Sequence, residues 1–402
     1  MALTSLPPLG LYIHLPWCEK KCPYCDFNSH QDSNFPESDY IDALLTDLTH
    51  ELPLIWGRQV ESLFIGGGTP SLFSGDAIDR LMSGLRGLLK LNPAIEATIE
   101  SNPGSADSSH FKQYREAGLN RISIGVQSFN TQHLERLGRI HDGDDALAAF
   151  EYARNAGFDN INLDLMYGLP GQSLEQACDD IKQAIRLKPE HISHYQLTIE
   201  PNTYFHRYPP AQLPDDELSW QQQVECQQLL ALSNYNQYEI SAYSQNNRQC
   251  QHNLNYWIFG DYIGIGAGAH GKLSLPADGK ILRRIRQKQP RRYLDQIDQA
   301  DAIQQVEPTD SDLMFEFMLN ALRLTDGFKT AWFHENTGLS FSHLLPHMEA
   351  AAVRKLIKYD GEKACPTELG FRFLNDLQTM FLDKKIKINQ AFFDSSESFI
   401  HS

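Results

Sequence analysis

The segment HLPWCEKKCPYCDF sets Cys18, Cys22 and Cys25 at C-x3-C-x2-C spacing. Cys thiolates are the usual ligands of iron–sulfur clusters, and a cubane cluster needs four. Three from one short loop leave one iron open to a small molecule that binds through oxygen and nitrogen. With seven Cys among 402 residues, such a triplet arises by chance on the order of 0.002 times per chain, so the spacing carries information. Zinc is the competing reading; it would want a fourth Cys or His, and His30 is the nearby candidate. A structural disulfide fits less well, because Cys are few and odd in number. No secretory segment precedes the motif either, and together these point to a reducing, cytoplasmic setting. Cys178, Cys226, Cys250 and Cys365 are isolated and read as small buried hydrophobes.

Further polar groups fall at or just beyond the ends of β-rich runs: Gly66-Gly67-Gly68-Thr69-Pro70, Glu100, Asn102, Gln127, Asp164, Thr198 and Glu200. The glycine turn serves either a strained backbone or close approach of backbone to a ligand. Glu100 and Asp164 could cap following segments. Asp164 nevertheless lies inside the apolar run INLDLMYG, where a carboxylate needs a partner.

The elements that must position these groups alternate. β-rich runs at 11–15, 62–66, 97–101, 121–125, 161–168 and 191–197 are separated by helical stretches near 39–56, 76–91, 107–117, 131–157 (broken near Gly138) and 174–187. Strand–helix alternation means crossovers and a parallel sheet. Six units are too few for an eight-fold barrel, so the expected α/β fold is a partial (β/α)6 barrel, with its site on the carboxyl ends of the strands.

Three units are expected. Residues 1–213 form the barrel. Residues 214–305 form an α+β extension, opened by a helix at 216–235 that covers the barrel's open side. Residues 306–402 form a small helical or winged-helix-like domain. The run DYIGIGAGAHG at 261–271 resembles a dinucleotide fingerprint only superficially, because no helix follows it; a glycine-rich strand near the barrel mouth is expected. The basic run RRIRQKQPRR at 283–292 reads as a solvated face, or else as a dock for acidic groups. A net charge of −16 argues against nucleic acid as partner. No apolar run approaches the ~20 residues of a transmembrane segment, which leaves peripheral membrane docking open.

The Cys triplet together with GGGTP, GVQSFN and DLMYGLPGQ resembles the radical S-adenosylmethionine (SAM) superfamily. More narrowly, the chain is similar to its coproporphyrinogen III oxidase-like branch, from Tyr12 to about Gly271 and more weakly beyond. The resemblance implies that Cys18, Cys22 and Cys25 hold a 4Fe–4S cluster whose open iron chelates SAM. It places Tyr12 and Tyr24 beside the cofactor and Gly67, Gly68 and Thr69 at its methionine end. Glu100, Gln127, Arg139 and Asp164 match positions lining it, with Thr198 and His270 as further contacts. In active members an electron donor reduces the cluster, and SAM is cleaved to methionine and a 5′-deoxyadenosyl radical.

The chain departs from the oxygen-independent coproporphyrinogen dehydrogenases at Phe27, where they carry a further Cys, and in its shorter approach to the cluster motif. A second motif, HNLNYW at 252–257, is similar to the H-N-x-x-Y-W signature of a heme chaperone subgroup. That likeness implies bound heme, with His252 as iron ligand and Tyr256 and Trp257 walling the porphyrin; Cys250 is a candidate secondary ligand. Taken alone, a His beside Asn, Tyr and Trp reads as a hydrogen-bonded structural residue. The expected function is a heme chaperone that passes heme to an acceptor protein. The alternative is a coproporphyrinogen III dehydrogenase performing radical oxidative decarboxylation, and an RNA-modifying radical SAM enzyme is a third class that the acidity disfavours.

Overall fold

The computed structural model describes residues 3, 6–245, 247–299 and 301–382. The last part of the expected 306–402 unit therefore lies outside the described residues. Six strand–helix units run in order: β1 (Leu9–Leu15), α1 (Glu37–Glu51), β2 (Gln59–Gly67), α2 (Gly75–Leu88), β3 (Lys90–Ser101), α3 (Ser108–Glu116), β4 (Arg121–Gln127), α4 (Thr131–Arg136), α5 (Gly143–Asn155), β5 (Ile161–Tyr167), α6 (Leu174–Leu187) and β6 (His191–Gln196). Neighbouring strands pair in parallel.

Strand alternation sorts the side chains. Leu9, Leu11, Ile13 and Leu15 of β1 face outward and pack with Tyr40, Ile41, Leu44 and Leu48 of α1, and the same layer runs through Ile122, Ile124, Leu163 and Ile192. Burying each such side chain contributes about 1.5–3 kcal/mol. The inward positions are mostly polar and line a single cleft: Glu100, Ser123, Asn162, Asp164, Ser193 and Tyr195. Helix starts follow sequence chemistry. Ser173 and Gln176 form a capping box on α6, and Asp142 and Asp145 form one on α5. The break expected near Gly138 separates α4 from α5. Gly138 has φ 70°, and a Cβ there would meet Pro23 Cδ at 2.8 Å, so only glycine lets this bend touch the Cys loop.

The extension is not a separate cover. After a helical turn α7 (Tyr204–Arg207), helix α8 (Asp216–Leu232) packs on α6, and its Gln222 accepts from Gly168 N and donates to Gln172 O. The expectation that this helix shields the open side is thus corrected, because its buried Cys226 and Leu230 belong to the outer helical core. Strands β7 (Asn236–Gln237) and β8 (Ala242–Ser244) add to the β6 edge. Past α9 (Gln251–Trp257), strands β9 (Asp261–Ile265), β10 (His270–Leu275), β11 (Lys280–Arg286) and β12 (Ile303–Val306) add to the β1 edge, with α10 (Pro290–Gln296) between the last two. The result is one twelve-stranded sheet in the order β12-β11-β10-β9-β1-β2-β3-β4-β5-β6-β8-β7. The glycine-rich run is strand β9, parallel to β1.

The reading of the basic run as a solvated face is corrected in part. Arg284 and Arg286, two apart on β11 and so on one face of it, are buried and paired with Glu51 and Asp47 of α1. Cys226 and Cys250 are buried as expected, whereas Cys178 and Cys365 are only partly so.

A second core holds α11 (Asp310–Ala321), α12 (Thr330–Thr337) and α13 (Leu345–Val353) with the small sheet β13 (Phe328–Lys329), β15 (Lys363–Pro366) and β14 (Ile357–Tyr359), paired in that order. This unit thus consists of helices packed on a three-stranded antiparallel sheet. No helix among the described residues is long and apolar enough to cross a membrane.

Candidate functional site

The cleft inside the curved sheet opens at the carboxyl ends of the strands, where the Cys loop lies. Cys18, Cys22, Tyr24, Cys25, Gly67, Gly68, Thr69, Glu100, Gln127, Arg139, Asp164 and Thr198 all line it. Tyr12, His270, His252, Tyr256 and Trp257 do not.

The glycine turn is built against β1. Gly68 N donates to Leu15 O at 2.8 Å and Thr69 N to Trp17 O at 2.7 Å. A Cβ on Gly68 would lie 2.5 Å from Trp17 O, and one on Gly67 (φ 119°) would lie 2.6 Å from the His14 ring. The turn's backbone conformation needs glycine, and it brings main chain to the cleft wall. Gly67 N donates to Glu100 Oε2 at 3.0 Å. Burial, then the nearby Asp164, pushes the Glu100 carboxyl up to about 8. Asp164 finds the partners its apolar strand demanded: Ser123 Oγ and Asn162 Nδ2 donate to it at 2.8 and 2.7 Å, and burial raises its pKa. Gln127 sits at φ 65° and its Oε1 accepts from Tyr195 Oη at 2.8 Å.

Tyr12 stands behind this wall. Its hydroxyl meets His14 Nδ1 at 2.9 Å, and His14 Nε2 meets Asn28 O, also at 2.9 Å. A carbonyl only accepts, so His14 carries its proton on Nε2 and accepts from Tyr12. His270, on β10, pairs with Ile285 of the next strand, and burial lowers its pKa to about 3.

The Cys loop can be tested for a metal group from its own chemistry. Lys21 Nζ donates to Phe27 O and Ser29 O and closes the loop. Arg139 Nη2 is anchored on Gly125 O at 2.8 Å, and its Nη1 donates to Cys22 Sγ at 3.5 Å. Burial pushes the Cys25 thiol up to about 12. Among the described residues no three His, Cys, Asp or Glu converge on one metal-ion position. All three thiols stand on the cleft wall, and the His30 ring meets Asn28 Oδ1 at 3.3 Å. Three soft thiols on one loop with an arginine donor alongside suit an anionic iron–sulfur cluster. Phe27 lines the same wall.

HNLNYW forms α9, which fills the amino-terminal end of the barrel. His252 is 1% exposed. Its Nδ1 is 3.0 Å from Ser62 Oγ and its Nε2 3.0 Å from Tyr256 Oη, and the ring stacks on Phe64 at 5.3 Å. Burial lowers its pKa to about 3, so it is neutral. In this arrangement both nitrogens are engaged and no face is open to an iron. Tyr256 and Trp257 point away from the cleft into a cluster with Tyr262 and Leu324, and the Arg323 guanidinium lies 4.3 Å over Trp257. Cys250 is buried at the start of the helix. Asn253 of the motif does reach the cleft.

Sequence reasoning missed Arg121, Ser123, Asn162, Ser193, Tyr195 and Asn253. All but Asn253 are inward strand positions, and the first three stand where polar residues alternate with Ile and Leu, a period-two signal that could have found them.

Known proteins share these features. Residues 12–184 match the radical SAM superfamily, and residues 309–373 match the HemN C-terminal domain. The chain is 48% identical to the heme chaperone HemW of Escherichia coli K12 over 94% of this chain and all of that one. It is 46% identical to the HemW of Haemophilus influenzae over 95% and 100%. Among solved structures, the coproporphyrinogen III oxidase HemN of Escherichia coli superposes with a TM-score of 0.79 at 25% identity, over 95% of this chain and 91% of that one. The Cys loop, the glycine turn and the strand-end polar groups thus sit on a shared scaffold, and the chain belongs to the HemW/HemN-like group of the radical SAM superfamily.

Proposed function

We propose that this chain is a heme chaperone: it binds heme and passes it to an acceptor protein, on a barrel that holds a 4Fe–4S cluster and SAM. One observation carries the reading. Identity of 46–48% extends end to end over proteins named heme chaperones, against 25% to the oxidase. Phe27 on the cleft wall, where the dehydrogenases have a further Cys, supports the same choice.

Cys18, Cys22 and Cys25 would hold the cluster. When bound, cluster and SAM together supply one-electron chemistry at the sulfonium. The chain's own residues bind and orient. Backbone at Gly67–Thr69 supports the ligand end near the cluster, and the carboxylate of Asp164 accepts from hydroxyl groups. Glu100, protonated at neutral pH, donates or accepts a hydrogen bond without adding charge, and Arg139 holds Cys22. Iron ligation by His252, which belongs to this reading, requires α9 to leave the barrel floor, because both ring nitrogens are committed there. The acceptor protein, the electron donor and a cytoplasmic setting are parts of the same proposal.

The test is anaerobic reconstitution followed by two assays. Titration with hemin is expected to give a Soret band with saturable binding. Incubation with coproporphyrinogen III, SAM and a reductant is expected to leave the porphyrinogen unchanged. Clean decarboxylation to protoporphyrinogen would replace the chaperone by the enzyme.

A further inference from the structure

The floor of the cleft holds a buried guanidinium that forms no direct ion pair among the described residues. Arg121 opens β4, is 2% exposed and lines the cleft with Asn162, Ser193 and Asn253. Its Nε has no acceptor among the described residues. The buried ion pairs of the chain belong to Arg58, Lys272, Arg284, Arg286 and Arg323 instead. The acids near Arg121 accept hydrogen bonds from other donors and act on it only through space. Asp164 accepts from Ser123 and Asn162, Glu100 Oε2 accepts from Gly67 N, and Glu96 Oε1 accepts from Gln251 N at 2.8 Å. Because an N–H buried without an acceptor is costly, the site favours a ligand that supplies one to the guanidinium. Its planar fork of donors matches a carboxylate better than any other small anionic group the cleft could admit from a tetrapyrrole.

We propose that Arg121 is a carboxylate-binding residue on the cleft floor and that it takes a propionate of the bound porphyrin. The assignment rests on the heme reading above. SAM is the other possible source of a carboxylate, but the family likeness places that group at the cluster, on the opposite rim.

The reconstituted protein is titrated with hemin and with hemin dimethyl ester, in wild type, Arg121→Gln and Arg121→Lys. SAM and its decarboxylated analogue are titrated in parallel. A charge-assisted pair is worth roughly 10- to 100-fold in affinity, so wild type should prefer hemin over the ester by that factor. Arg121→Gln should bring the two within about threefold, and Arg121→Lys should keep part of the preference. Equal binding of acid and ester by wild type, or undiminished preference in Arg121→Gln, overturns the proposal, and the wild-type comparison needs no variant to fold. An Arg121-dependent preference for SAM over its decarboxylated analogue, without one for hemin, overturns the assignment to the porphyrin. Binding of neither hemin nor ester by wild type overturns the heme reading itself, which is a different result from equal binding.

Discussion

Replacing His252 by alanine separates two roles that the H-N-x-x-Y-W helix could have. In the structure the imidazole is a keystone: it is buried, bonded to Ser62 and Tyr256, and stacked on Phe64. Truncating a buried aromatic ring to Ala costs about 3–5 kcal/mol. The buried Ser62 and Tyr256 hydroxyls, left without this partner, keep the figure at the upper end. With a urea m-value of about 3 kcal/mol/M, the unfolding midpoint should drop by about 1 M or more. The assay is urea unfolding of the heme-free protein, followed by both tryptophan fluorescence and far-UV circular dichroism so that non-coincident domain transitions are seen. His252→Phe, which fills the space without the hydrogen bonds, should recover part of the loss. If His252→Ala leaves the heme-free protein within about 0.5 kcal/mol of wild type while abolishing hemin binding, the keystone argument is wrong and the imidazole serves iron alone.

Other outcomes follow from the same geometry. Burial holds His14 near pKa 4 and His194 and His252 near 3. The unfolded chain takes up these protons near pH 6.5 and the folded chain does not, so stability is full above 6.5 and falls as pH drops toward 3–4; urea midpoints between pH 8 and 5 check this. Glu100, raised to about 8, has the opposite slope: its contribution is present below about pH 4.5 and is lost as pH rises through 8. Glu100→Gln should flatten that alkaline loss in the same series. Gly68→Ala forces a Cβ against Trp17 O, at a cost of about 1–3 kcal/mol, and should lower the iron retained per chain after anaerobic reconstitution, since Trp17 adjoins Cys18. Asp47→Asn removes one of the two carboxylates on Arg286, the one at 3.0 Å, and with Glu51 still paired should destabilise by about 1–3 kcal/mol, measured as a fall in the unfolding midpoint.

The barrel was legible because its physics is local. Each strand announces itself as a short β-branched run, and each helix by its cap and spacing, as at Ser173 before α6. The Cys loop was legible because its spacing lies in consecutive residues. What stayed hidden depended on partners distant in sequence. Nothing in RRIRQKQPRR says that Arg284 and Arg286 meet Glu51 and Asp47, more than 230 positions away. Nothing in HNLNYW says that its His will face Ser62 and not solvent. Arg121 was hidden for a related reason: an Arg at the start of a strand is ordinarily a surface residue, and only closure of the floor buries it.

That closure links the barrel to the C-terminal module. A curved sheet with a polar interior needs a lid at its amino-terminal end, or Ser62, Asn162 and His191 lose their partners to water. Helix α9 supplies the lid with His252, and its far side is held from outside. Trp257 lies under Arg323, which pairs with Glu239 at 2.9 Å. Asn336 of α12 donates to Ile258 O at 2.7 Å. A ligand that pulls His252 out of the floor must therefore also strain the contacts of Arg323 and Asn336. Iron ligation at this helix and movement of the C-terminal module are then one event, and hydrogen exchange at α12 should quicken on hemin binding if His252 is the ligand.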